Sequence, residues 1–226
     1  MIALAIDTCS TICAVALVRD NSVIGKFCID IKNYHDEKLM GMVDALLQSC
    51  TVSVDDIDGY IVAIGPGSFT GIRIGMSVAK GFAIAKEKPI VGISSLDGLA
   101  WNFFYNYECT QEEILYSIID AQRDEIFCSG YVLFDHHIKR VSDYQCLSLQ
   151  KLKDNVEDSV TFIGDATEKV KNYLGNGNYS YVKGIMNKSD VASIAFLGYN
   201  KLLNFDGDDL LNLEPLYIKD FKPLIK

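Results

Sequence analysis

Apolar and polar positions follow two rhythms along this chain, and the places where one gives way to the other mark its elements. Ile2 to Asp7 is a short apolar run that ends in Asp7-Thr8. Ile12 to Arg19 is a second run, and Arg19-Asp20-Asn21-Ser22 reads as a turn into a third, Val23 to Ile31. Three antiparallel strands in succession are predicted. From Asp36 to Cys50 the spacing changes. Leu39, Met42, Val43, Leu46 and Leu47 recur with the 3.6-residue period of a helix face. Tyr60 to Ile64 is strand-like again, a glycine turn follows, and a helical pattern then runs to Lys86. Pro89 to Ile93 is a further strand, after which Ser94 or Ser95 caps a helix holding Leu99, Trp101, Phe103 and Phe104.

Near Glu108 to Glu112 the pattern breaks and begins again. Glu113 to Asp120, Glu125 to Phe134 and His136 to Cys146 read as strands, with a hairpin turn at Asp135-His136. A polar helix follows over Ser148 to Glu157, then a strand over Val160 to Ile163. Gly164-Asp165 leads into a helix from Ala166 to Leu174, and Gly175 to Asn178 is a loop. Ser189 to Leu203 is a late helix, and the tail from Asp206 through Pro215 to Lys226 is mostly irregular. Each half thus reads three strands, helix, strand, helix, and each first strand ends in an aspartate, Asp7 or Asp120. We divide the chain into lobes 1–108 and 109–226, with the late helix and tail able to pack back on the first lobe.

The glycine turn has its own pattern, Gly65-Pro66-Gly67-Ser68-Phe69-Thr70-Gly71-Ile72-Arg73-Ile74-Gly75-Met76. Gly65 and Gly67 reach backbone conformations closed to other residues, Pro66 fixes φ between them, and Ser68 or Thr70 can cap the helix. A helix N-terminus also suits a phosphate, so a structural turn and an anion site both fit. It is not a Walker A loop, since no Gly-Lys-Ser/Thr follows. Gly71, Gly75 and Ala79 fall on one helix face, beside Ile72 and Met76. Glycines cost a helix about 1 kcal/mol each relative to alanine, which is tolerated where another backbone must come close. Internal packing and a subunit interface both satisfy that requirement.

Composition narrows the function. The chain has 226 residues, is 49% apolar, and carries a net charge of −9. An acidic surface disfavours independent nucleic-acid binding, which rests on Lys and Arg neutralising phosphates. No run approaches the length of a membrane span, and Met1 leads directly into a strand, so no signal peptide is expected. Seven scattered cysteines without a Cys-x-x-Cys pair suit a reducing cytoplasm.

A duplicated βββαβα (RNase H-like) pattern with an aspartate closing each first strand suggests a two-lobed α/β fold of the actin, sugar-kinase and Hsp70 (ASKHA) type. There the aspartates would face a metal–nucleotide complex, which makes Asp7, Thr8, Asp120 and Arg123 the candidates for a nucleotide cleft. It also makes an ATPase or phosphotransferase one reading of the chain. Asp120 and Arg123 are expected to pair as ions. The glycines that should accompany the aspartates are absent, since Thr8-Cys9-Ser10 and Ala121-Gln122-Arg123 stand in their places. A protease is unsupported, as no Ser-His-Asp arrangement is present.

Ala5-Ile6-Asp7-Thr8, His35, the glycine motif from Gly65 to Gly75, Asp120 to Phe127, and Pro215-Leu216-Tyr217-Ile218 lie in the order of the TsaB (YeaZ) family, which the chain resembles nearly end to end. Gln122 departs from the Asp-Ala-Arg-Arg that the family usually has. The resemblance implies a non-catalytic cytoplasmic subunit in the synthesis of N6-threonylcarbamoyladenosine (t6A) in tRNA. It would pair with the transferase TsaD, meet the ATPase TsaE, form a homodimer when alone, and reach tRNA only through the complex. No cofactor is expected, although a nucleotide at the boundary with TsaD fits the resemblance. TsaD-like proteins hold a metal on a His-x-x-x-His pair. Here His35 is followed four residues on by Leu39, so no metal is expected and His35 should make local hydrogen bonds. Pairing would use Leu39, Met42, Val43 and Leu46 of the first helix with Gly71, Ile72, Gly75, Met76 and Ala79 of the second. On that basis Gly75→Leu should abolish pairing and leave the monomer folded.

Overall fold

A computed structural model describes residues 1–30, 34–109, 111–134, 137–175, 177–204 and 207–218. The expected turn at Asp135-His136, Ile31, Asn176, Asp206 and the tail beyond Ile218 lie outside the described residues.

The first half forms β1 (Ile2–Asp7), β2 (Ile12–Arg19), β3 (Ser22–Asp30), α1 (His35–Ser49), β4 (Gly59–Ala63), α2 (Phe69–Lys86), β5 (Ile90–Ile93) and α3 (Ser95–Asn106). Its five strands make one sheet in the order β3-β2-β1-β4-β5. β1 runs antiparallel to β2, with Asp7 opposite Ala14, and parallel to β4, with Leu4 opposite Tyr60.

The second half repeats the scheme with β6 (Glu113–Asp120), β7 (Glu125–Phe134), β8 (His137–Arg140), β9 (Gln145–Ser148), α4 (Leu149–Asn155), β10 (Val160–Ile163), α5 (Thr167–Leu174), β11 (Ser180–Tyr181) and α6 (Val191–Asn204). The sheet order is β11-β10-β6-β7-β8, and β9 also pairs with β7. The single strand expected over His136 to Cys146 is therefore two. β8 pairs with the far end of β7 and β9 with its near end. Between them Ser142 fixes the break: its Oγ accepts from Gly130 N at 2.7 Å and its carbonyl accepts from Ser129 Oγ at 2.9 Å.

Period-2 alternation gives the first sheet two apolar faces. One face carries Leu4, Ile6, Val15, Leu17, Tyr60 and Val62 and is covered by α1 and α2. The other is small-sided, with Ala3, Ala5, Ala14 and Ala16, and α6 lies on it with Val191, Ile194, Ala195, Tyr199 and Leu202. The second sheet is covered by α4 and α5 on one face, and on the other by α3 through Leu99, Ala100 and Phe103. Asp97 of α3 accepts from Tyr131 Oη at 2.8 Å and from Tyr144 Oη at 2.5 Å, tying that helix to the second half. Each half thus lends its last helix to the other half's sheet. Every strand of the first sheet precedes residue 109 and every strand of the second follows it, but α3 and α6 cross that line. The tail returns to the first sheet, where Asp208 N bonds Ile90 O, Leu216 N bonds Ile64 O, and Leu213 enters the core beneath α2.

Candidate functional site

A cleft of about 680 Å³ lies between the two sheets at the ends of their first strands. Ser10, His35 and Thr70 line it from the first half, Asp120 and Asp165 from the second, and Lys188 from the connection between them. Of the four residues proposed for a nucleotide cleft, Asp120 alone is among the lining residues. Asp7 and Thr8 are buried beneath the β1–β2 turn, 3% and 1% exposed.

The two aspartates do the same local work. Asp7 Oδ1 accepts from Cys9 N at 3.0 Å, and Asp120 Oδ1 accepts from Gln122 N at 2.7 Å. Each is an aspartate bonding the backbone two residues on, the Asx turn that makes this residue type favourable where a strand must reverse. Each aspartate takes a second donor. Ser189 Oγ donates to Asp7 Oδ2 at 2.5 Å, and Lys169 Nζ donates to the same Asp120 Oδ1 at 2.7 Å. The ion expected between Asp120 and Arg123 is replaced by Lys169, because α5 delivers its first turn directly over the end of β6. Burial raises the pKa of Asp7 above the ordinary carboxylate value, partly offset by the donors from Ser189 and Cys9. Burial likewise raises that of Asp165, which accepts from Asp120 N at 2.8 Å.

The β1–β2 turn is pinned from three sides. Cys9 O accepts from Ser68 N at 2.6 Å, Thr8 Oγ1 donates to Gly71 O at 2.7 Å, and Ser10 O lies 2.9 Å from His35 Nε2. A carbonyl can only accept, so His35 is protonated on Nε2. This partner is twenty-five residues away, so the local bonding expected of His35 gives way to a long-range tie. Leu39, where a second ligand would have to stand, is 1% exposed in the apolar core. The two-histidine metal arrangement therefore does not fit this chain.

Ser68 caps α2, its Oγ accepting from Gly71 N at 3.2 Å. The donors that could have faced a phosphate at this turn are thus partly spent on the chain itself. The small-residue face of α2 points inward as well. A Cβ on Gly71 would sit 2.0 Å from Thr8 O, and one on Gly75 would sit 2.3 Å from Thr8 Oγ1. Ile72, Met76 and Ala79 are buried with them, as are Leu39, Met42, Val43 and Leu46 of α1. The backbone that must come close is the chain's own. The residues named as a partner surface are core residues, and Gly75→Leu would disrupt the monomer itself. What α1 and α2 turn outward is a different set: Met40, Gly41 and Asp44, and Ser77, Gly81 and Ile84. A Cβ added at Gly41 or Gly81 would meet nothing within 4 Å, while Met40 is 45% exposed and Ile84 61%.

Lys169, Asp165 and Ser189 were not anticipated as site residues. Gly164-Asp165 had a readable signal, since it follows β10 as the glycine turn follows β4. Gly164 has φ +127°, and a Cβ there would meet Ile118 O. Ser189 had none, being 182 residues from Asp7. Among the described residues no helix is long and apolar enough to cross a membrane.

Comparison with known proteins gives a consistent answer. Residues 30–204 match the family model described as TsaD: tRNA N6-adenosine threonylcarbamoyltransferase. The chain is 29% identical to the tRNA threonylcarbamoyladenosine biosynthesis protein TsaB of Bacillus subtilis, over 97% of this chain and 94% of that one. It is 34% identical to the Escherichia coli protein of the same name, over 57% of this chain and 54% of that one. Among solved structures, YeaZ from Pseudomonas aeruginosa superposes with a TM-score of 0.81 at 22% identity, covering 96% of this chain and 99% of that one. The Acidaminococcus fermentans (R)-2-hydroxyglutaryl-CoA dehydratase component A shares the fold at a TM-score of 0.51 and 9% identity, over 90% of this chain and 99% of that one. The duplicated two-lobed fold, the paired aspartate turns and these matches lead to one assignment: this chain belongs to the TsaB (YeaZ) family of tRNA threonylcarbamoyladenosine biosynthesis proteins, within the wider TsaD family.

Proposed function

We propose that this chain is a non-catalytic subunit in t6A synthesis, which pairs with a TsaD-type transferase and supports it. The observation that carries this reading is the burial of Asp7, which is held by Cys9 N and Ser189 away from the cleft lining. Asp120, paired with Lys169, is then the one of the two aspartates that faces the cleft, where the metal–phosphate reading expects two. Phosphoryl transfer depends on such positioning and charge stabilisation. The surface that favours pairing is the outward side of α1 and α2, where exposed Met40 and Ile84 lie beside glycines that leave room for a close neighbour. In the same reading the chain self-associates through this surface when alone, meets TsaE and tRNA only within the assembled complex, needs no cofactor of its own, and works in the cytoplasm.

The test is the mass of the chain in solution, alone and mixed with its cognate transferase, by chromatography with light scattering. Wild type should form a one-to-one complex. Ile84→Arg should abolish it while keeping the wild-type melting temperature, because Ile84 is 61% exposed. Undiminished pairing of Ile84→Arg would remove this surface from consideration. The competing reading, an ATPase or phosphotransferase using Asp7 and Asp120, is favoured only by the fold. Nucleotide hydrolysis that disappears in Asp7→Asn would restore it.

A further inference from the structure

The connection from the second half back to α6 is tied to both sides of the cleft within a few residues. Asn187 belongs to the second half: its Oδ1 accepts from Gly164 N at 2.6 Å and its Nδ2 donates to Thr167 Oγ1. The three residues after it belong to the first half. Lys188 Nζ reaches Asp30 Oδ2 at 2.6 Å, Ser189 Oγ reaches Asp7 Oδ2, and both oxygens of Asp190 accept from Lys26 Nζ, at 2.8 and 3.0 Å. Asp190 Oδ1 also accepts from Ala192 N at the start of α6. From α3, Asn102 Nδ2 donates to Met186 O at 3.1 Å.

These ties are unequal. The Lys188–Asp30 pair is solvent-exposed on both sides and the Lys26–Asp190 pair on the lysine side, and such pairs contribute little. The contact between Ser189 and Asp7 is shielded, and Asp7 is 3% exposed. Withdrawing the serine there leaves a desolvated carboxylate short of a donor, which is the costly kind of loss. Asp7 is in turn fixed by the β1–β2 turn, whose Cys9 carbonyl is held by Ser68 at the cap of α2 and whose Ser10 carbonyl is held by His35 of α1.

We propose that residues 187–190 form a strap that sets the opening of the cleft, with Asp7 as its catch, so that the two halves separate only when Ser189 leaves the carboxylate. On this assignment the aspartate that closes β1 is a conformational fastening. The proposal is independent of the pairing surface above and stands or falls without it.

Hydrogen exchange read by mass spectrometry on the full chain tests it. The informative amides are those of Cys9, which bonds Asp7, of Lys188, which bonds Ile185 O, and of Ser193, which bonds Asp190 O. Ser189→Ala should accelerate exchange at these positions by about tenfold or more, the loss expected for one buried charge-assisted bond. Exchange within β4 and β7 should stay unchanged. Ser189→Thr, which keeps the hydroxyl, should restore the wild-type pattern. So should Asp7→Asn, whose amide can still accept from Cys9 N and donate to Ser189 Oγ. Wild-type exchange at the strap in Ser189→Ala would overturn the proposal. Acceleration spread evenly through both sheets would overturn it too, because the serine would then only support global stability.

Discussion

Gly71 and Gly81 lie on the same helix, ten residues apart, and the same substitution should act on them in opposite directions. At Gly81 an added methyl meets nothing within 4 Å. Alanine there gains the ordinary helical preference over glycine, about 1 kcal/mol. At Gly71 the methyl would lie 2.0 Å from Thr8 O and 3.2 Å from the carbon behind it, both backbone atoms of the core turn. The helix or the turn must move by more than 1 Å, about the gap to ordinary van der Waals separation. Overpacking of this kind costs about 1–3 kcal/mol. The movement also stretches the bond from Thr8 Oγ1 to Gly71 O, at 2.7 Å, and weakens the Ser68 cap on Gly71 N. Each of those contributes about 1 kcal/mol. With little propensity gain in the first helical turn, Gly71→Ala should destabilise by about 2–4 kcal/mol. The two variants should therefore differ by about 3–5 kcal/mol, or about 6–20 °C in melting temperature for a chain of this size. Thermal unfolding followed by circular dichroism gives the comparison directly. A Gly71→Ala protein as stable as Gly81→Ala would refute the claim that the inward glycines exist to admit the β1–β2 turn.

Two further outcomes follow from the geometry. Asp7 has its pKa raised by burial, so the folded state binds that proton more tightly than the unfolded chain. Above the folded-state pKa the buried charge is a standing cost, relieved as pH falls through it. Asp7→Asn should therefore be more stable than wild type at neutral pH, and the advantage should shrink as pH is lowered towards 4; a melting-temperature difference that is constant with pH would contradict this. Leu213 is 8% exposed in the core under α2, so Leu213→Ala should cost about 2–5 kcal/mol in urea unfolding, whereas a tail merely resting on the surface would give almost no change.

Much of the architecture was legible because it is written in local periodicity. The continuous apolar runs in Ile2–Asp7 and Ile12–Arg19 and the 3.6-residue spacing of Leu39, Val43 and Leu46 each depend on neighbours within one element. The break between β8 and β9 was missed, because Ser142 makes it by bonding Ser129 and Gly130 on another strand. The glycine face of α2 announced that some backbone comes close, but the steric demand is identical for a partner helix and for the chain's own turn. Only the folded chain names Thr8 as the neighbour. The site was the least legible part. Asp7 and Asp120 were found by their position at strand ends, yet their partners Ser189 and Lys169 arrive from 182 and 49 residues away. The short β11 escaped notice because two residues are too few to show any period.

The exchange of closing helices has a consequence for biosynthesis. A ribosome delivers β1 to β5 early, but the alanine face of that sheet stays bare until α6, residues 191–204, has emerged. The first layer to be synthesised is thus among the last to be completed, and the second sheet waits on nothing, since α3 precedes it. Neither half is a self-sufficient unit, so the two should melt in one cooperative transition. Fragments cut between the sheets should be insoluble apart and recover structure only when mixed.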